Sequence, residues 1–201
     1  MGNENGMVGR LVMATGGAAL VVSVFLAWYT LSLADLLRAV ASQLPAALAG
    51  ALPSTVAAGA PTLSWSGWHA VHLIRFVVLV VGFAALISAW APPRAAGDRG
   101  GLLLPAGGLL ATILVGYRIQ SPPSTLDLYV GPVAVHAPGG AGGFLASLLQ
   151  VDLGAWVAAG GGVLVVVGGL LALADSRAVI AQSARDRSVG PASVTPPANW
   201  S

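Results

Sequence analysis

Four stretches of the chain carry no charge, or almost none, over a length that matches a bilayer, where a helix needs about 20 apolar residues. The first lies between Arg10 and Asp35 and reads as a span over about 11–31. The second follows Trp68 and includes FVVLVVGFAALISAWA; it reads as a span over about 69–91, with Arg75 inside it. The third lies between Arg99 and Arg118, about 101–118, and the fourth between Asp152 and Asp175, about 153–174. Backbone in lipid must satisfy its own polar groups, so each run is expected as a helix. Pro105 falls in the first turns of the third, where a proline costs least. The predicted fold class is an all-α membrane protein, a four-transmembrane-helix bundle with two long outer loops.

The connections are unequal. Pro92 to Gly100 is short, so spans two and three form a hairpin. In the first long loop Leu33, Leu36, Leu37, Val40, Leu44 and Leu48 recur at spacings of one, three or four, one face of an amphipathic helix. Asp35, Arg38 and Ser42 lie off that face, and Pro45 is expected to bend or end it. In the second loop LDLYV and VAVHA flank Gly131-Pro132, a candidate small hairpin. Phe144 to Gln150 reads as one or two helical turns. Residues 1–10 form a short N-terminus, and 176–201, ending SVGPASVTPPANWS, read as a disordered tail.

Two rival readings touch these boundaries. Arg10 followed by an apolar run, with Ser32-Leu33-Ala34 after it, resembles a signal peptide. The run is long for that role, and Trp28-Tyr29 suit a membrane anchor better. The uncharged stretch 39–60 is a candidate fifth span, but it holds Gln43, Pro45 and Pro53 and is otherwise mostly Ala, so four spans are preferred.

Composition agrees with the pattern. Of 201 residues 56% are hydrophobic and 8% charged, and the mean hydropathy is +0.84; a soluble domain carries about 25% charged residues. All nine basic residues are Arg, with no Lys, a usage that fits a high-GC bacterial genome. They do not cluster as a nucleic-acid contact requires, so no nucleic-acid partner is expected. The absence of Cys excludes disulfides, thiolate metal sites and cysteine catalysis. Arg10, Arg94, Arg99, Arg177, Arg185 and Arg187 fall on the side of the termini and Arg38, Arg75 and Arg118 on the other, which makes both termini cytoplasmic. Trp28, Tyr29, Trp65, Trp68, Tyr117 and Trp156 fall at outer span ends, as an interfacial belt would, and Trp90 marks an inner end.

Arg75 is the residue that most invites a functional reading, because a charge within a span is costly. Trp68, His72 and Arg75 share a helical face, with Arg118 and Trp156 at the same membrane boundary. Together they define a candidate outward-facing pocket for an anionic group. The plainer alternative is that Arg75 snorkels to headgroups or pairs with Asp152. His69, His72 and His136 with Asp127 or Asp152 are too few ligands at recognised spacings for a zinc site, and Arg75 would repel the cation, so no metal and no cofactor is expected. No GxSxG, HExxH or phosphate-loop pattern occurs. Gly108, Thr112 and Gly116, and Gly154, Ala158 and Gly162, are spaced by four and read as helix-packing faces within the bundle, with a contact between two copies as the alternative.

FLAWY (Phe25 to Tyr29), SGWHA (Ser66 to Ala70), GYRIQSPP (Gly116 to Pro123) and LGAW (Leu153 to Trp156) together resemble a group of small four-span integral membrane proteins of actinobacteria, to which no activity is attached. The resemblance covers most of the transmembrane part. Such proteins carry an acid near the position of Arg75 and a base just before the GAW, so it implies that Arg75 and Asp152 form the reverse interhelical ion pair. A looser likeness to eukaryotic tetraspan junction proteins rests on Trp65 and Trp68, and the paired loop cysteines of that group are missing. The expected function is that of a non-catalytic membrane protein of the bacterial inner membrane acting through lipids, a membrane-protein partner or a second copy. The alternative is binding or transport of an anionic lipid or small molecule at the Arg75 pocket, and an enzyme using His72 or Asp127 ranks last.

Overall fold

The charge-free runs are helical, as backbone away from water requires, but the first is not helical to its end. The computed structural model describes residues 4–42, 61–70, 72–90, 98–122, 128–130, 133–135 and 147–188. In chain order these are α1 (Glu4–Ser23), β1 (Ala27–Ser32), α2 (Leu33–Ala41), β2 (Thr62–Ser66), the single turn α3 (Gly67–Ala70), α4 (His72–Trp90), α5 (Asp98–Gln120), β3 (Leu128–Val130), β4 (Val133–Val135), β5 (Gln150–Val151) and α6 (Leu153–Ser188). Four helices are long and apolar enough to cross a membrane: α1, α4, α5 and α6. Only 22–33% of each such window is buried in the protein, so most of its apolar surface needs hydrocarbon around it.

The four long helices alternate in direction. The end of α1, the start of α4, the end of α5 and the start of α6 meet at one end of the bundle. There β1 is the middle strand of an antiparallel sheet of order β2-β1-β5. The expected first span therefore divides: α1 stops at Ser23, and Ala27–Ser32 (AWYTLS) forms a strand. Aromatic and β-branched residues suit that strand. Trp28 and Tyr29 are wholly buried and Trp65 nearly so, which removes all three from the expected interfacial belt. Trp68, Tyr117, Trp156 and Trp90 are exposed at span ends, as a belt requires.

The amphipathic helix of the first long loop is α2. Ser32 caps it by accepting from Asp35 N, and Asp35 and Arg38 pair on its outer face at 2.8 Å. It ends at Ala41, so Leu44, Pro45 and Leu48 lie outside the described residues, as does the candidate fifth span beyond Ser42. The hairpin of the second loop is present as β3 paired with β4. Of Phe144 to Gln150, Ser147 and Leu148 are helical and Gln150 enters β5, while residues 144–146 lie outside the described residues. The helix α6 does not stop near Ala174 but runs to Ser188, so residues 176–188 of the expected tail are helical. At 36 residues it is about 54 Å long, well beyond a hydrocarbon core of about 30 Å.

The core joins Met13, Leu20 and Val24 of α1, Val78 and Ala85 of α4, Ala111 and Val115 of α5, and Ala158 and Val165 of α6. The most extensive helix contact is α1 on α6, where glycines let the two backbones touch. A Cβ on Gly16 would lie 2.7 Å from Gly161 O, and one on Gly161 would lie 2.9 Å from Gly16 O. Backbones this close need glycine, in lipid as elsewhere. Gly17 makes the matching approach to Gly82 of α4. The expected faces on α5 and α6 meet at Gly108, Thr112 and Gly162, inside the bundle. Two members of the sets do not belong there. Gly116 has open space beside it, and Gly154 packs on β1, 2.5 Å from Ala27 O at its Cβ position, rather than on a helix.

Candidate functional site

The capped end assembles around Trp28. Helix α1 and the turn after it end with carbonyls that no helical N–H reaches, and those of Ser23, Val24 and Leu26 find donors nearby. Trp28 Nε1 donates to Ser23 O at 2.7 Å. Trp68 N donates to Val24 O at 2.9 Å and Gly67 N to Leu26 O at 3.1 Å. Asp152 N donates to Trp28 O at 2.8 Å, which fixes the start of α6 beside β1. The indole is walled by Gly67 on one side and Gly154 on the other, where any Cβ would lie under 3 Å from it. Tyr29 Oη completes the junction by donating to Arg118 O at 2.8 Å, at the end of α5. FLAWY, SGWHA, GYRIQSPP and LGAW are thus four sides of one junction. Ser66 Oγ and His69 Nδ1, 3.1 Å apart, lie in its second wall.

Arg75 sits beside this junction as the fourth residue of α4, seven before Gly82, and so on the face turned to α1. Its Nη1 donates to Trp68 O at 2.6 Å. Its Cζ lies 4.4 Å from the Trp68 ring centroid and 4.8 Å from that of Phe76, cation–π distances on two rings. Trp68 is in turn stacked on Phe25, 6.4 Å away and 8° from parallel. The expected Arg75–Asp152 pair is not formed. Asp152 accepts from Leu153 N at 2.6 Å at the start of α6, and neither Arg75 nor Asp152 is in an ion pair among the described residues. The sequence gives the spacing of these charges but not the rotation of α4, which turns Arg75 toward α1 instead of α6.

The other expected pocket residues are apart from this cluster or outside description. Arg118 lies at the end of α5, with a buried Nε that has no hydrogen-bond partner, and Trp156 is exposed on α6. The His72 side chain, Asp127 and His136 lie outside the described residues. Among the described residues no three His, Cys, Asp or Glu converge on a point that could hold a metal ion. One cleft of about 320 Å³ opens between α4 and α5, lined by Val80, Val81, Ala84, Ser88, Leu103, Leu104 and Gly107, away from Arg75. Ser23, Tyr29 and Gly67 also carry the junction; the partners of Tyr29 and Gly67 are distant in the chain, which leaves no local signal for them, whereas those of Ser23 lie within five residues.

Burial pushes the Tyr29 phenol up to about 12, against the nearby Arg118 guanidinium, which favours the phenolate. Between pH 10 and 12 the unfolded chain loses this proton and the folded chain keeps it. Stability is therefore full below pH 10 and falls as pH rises through that window. The chain has no Lys and no Cys but three Tyr, so a Tyr29 variant is what isolates this group. Thermal unfolding of the detergent-solubilised protein from pH 8 to 11.5 should show a falling midpoint. Tyr29→Phe should start lower, by about 1 kcal/mol for the lost hydrogen bond, and stay flatter; an equal slope in both proteins rules out Tyr29 as the group. Neither family models nor curated proteins nor solved structures yield a match to the chain.

Proposed function

We propose that the chain is a non-catalytic integral membrane protein of a bacterial inner membrane, with both termini cytoplasmic, acting through lipid and partner-protein contacts. The observation that carries this reading is the use of the polar groups at the capped end. The Trp28 and Tyr29 side chains and the Asp152 backbone N–H each hold one element to another, the Ser23 hydroxyl and the Asp152 carboxylate bond locally, and Arg75 lies against its own neighbours. A reaction centre needs acid, base or nucleophile aimed at a common point; this end is built as a clasp. The orientation is supported by six Arg on the uncapped side of the spans against three on the capped side.

A single-cysteine test is clean in a chain without Cys. Ser42→Cys lies at the exposed end of α2 and Ala181→Cys on the exposed tail of α6. A membrane-impermeant maleimide should label the first in intact cells and the second only after permeabilisation. The reverse pattern overturns the orientation, and labelling of both from outside overturns the four-span reading. The second reading is binding of an anionic group at Arg75, favoured by a guanidinium at the end of a span that meets no carboxylate among the described residues.

A further inference from the structure

We infer that Arg75, held between Trp68 and Phe76, is the receptor for the phosphodiester of one phospholipid in the leaflet at the capped end. The inference rests on the membrane-spanning reading and deepens it by naming the partner. A guanidinium carries five N–H donors, and here one of them makes a hydrogen bond, to Trp68 O. Nε is covered without a partner, while Nη2, neither hydrogen-bonded nor covered, stays open. Among the described residues no carboxylate pairs with the charge. Stacking against two rings fixes the guanidinium plane, and the Trp68 carbonyl fixes its rotation, so little is lost on binding.

Position selects the source of the anion. Arg75 is the third residue of the α4 span, and the end of a span is where a bilayer's headgroups begin. Phe25, Leu73 and Phe76 beside it are more than half exposed. Leu73 at 80% is a surface that an acyl chain covers and water does not favour. An arginine fork for phosphate set beside an apolar face fits a lipid better than free phosphate.

The test uses the purified full-length chain, stripped of native lipid in detergent, with dioleoylphosphatidylglycerol added and binding read by native mass spectrometry. Arg75→Gln should weaken the lipid about tenfold, whereas Arg38→Gln, an exposed cation on the same side, should leave it within about twofold. Affinity within twofold of wild type in Arg75→Gln overturns the proposal, as does equal competition by inorganic phosphate, which would identify free phosphate as the ligand. Should Arg75→Gln fail to fold, a diazirine-bearing phosphatidylglycerol photocrosslinked to the wild type decides. Adducts at Phe25, Trp68, Leu73 or Phe76 support the site, and adducts confined elsewhere overturn it. Failure here with the labelling pattern above intact removes the lipid site alone; failure of the labelling pattern removes the reading beneath it.

Discussion

Trp28→Ala should cost about 3–5 kcal/mol, the range for emptying a buried aromatic site, and is expected to be the most damaging side-chain truncation at the capped end. The side chain is wholly buried. It also supplies the donor for Ser23 O, which becomes a buried carbonyl with less to bind. The walls cannot close over the space easily, because Gly67 and Gly154 have no side chains to move into it. Trp28→Phe separates the two losses: it keeps most of the bulk and removes the indole N–H, for a cost of about 1–3 kcal/mol. Unfolding by sodium dodecyl sulfate titration in mixed micelles measures both. A loss below about 1 kcal/mol for Trp28→Ala would show that the junction does not depend on the indole.

Gly161→Leu should be as severe for a different reason. Its Cβ would meet Gly16 O at 2.9 Å, Leu20 N at 3.0 Å and Ala19 Cβ at 3.1 Å. Two of these are backbone atoms of α1, which cannot rotate away, so the helices must separate along their main contact. Overpacking typically costs about 1–3 kcal/mol, and a backbone clash belongs at or above the top of that range. Gly160→Leu is the internal control, since its Cβ position has nothing within 4 Å. Size-exclusion chromatography and folded yield should find Gly160→Leu close to wild type and Gly161→Leu largely lost. Equal behaviour of the two variants would contradict the α1–α6 contact.

The four spans were legible because long charge-free runs leave a backbone few alternatives. The spacing of Gly108, Thr112 and Gly162 marked them as packing positions, and the contact inside the bundle is what the packed helices add. The end of α1 was not legible, because residues 24–31 contain no charge, no glycine and no proline. The stop comes from Gly67 N and Trp68 N, more than 40 positions later, and from the Trp28 indole. Gly16 and Gly17 carry no sequence signal for a related reason. They are adjacent and serve different neighbours, α6 and α4, so no repeat of four reveals them. The continuation of α6 had a local signal: from Asp175 to Ser188 there is neither glycine nor proline, and the first such pair is Gly190-Pro191. The rotation that turns Arg75 away from Asp152 is a property of the packed bundle.

The position of β1 also orders assembly. This strand leaves the first helix, pairs with β2 some 35 residues later, and pairs with β5 only after about 120 residues. A chain made from its N-terminus can therefore dock Gly67 against Trp28 early, but the Gly154 wall and the second strand partner arrive with the last helix. Until then one edge of β1 has unmet hydrogen bonds and one face of the indole is bare. A nascent or truncated chain that stops after the third helix thus displays an unfinished edge at the membrane surface. Completion of the fourth helix hides that edge, so the clasp marks a finished chain as distinct from an interrupted one.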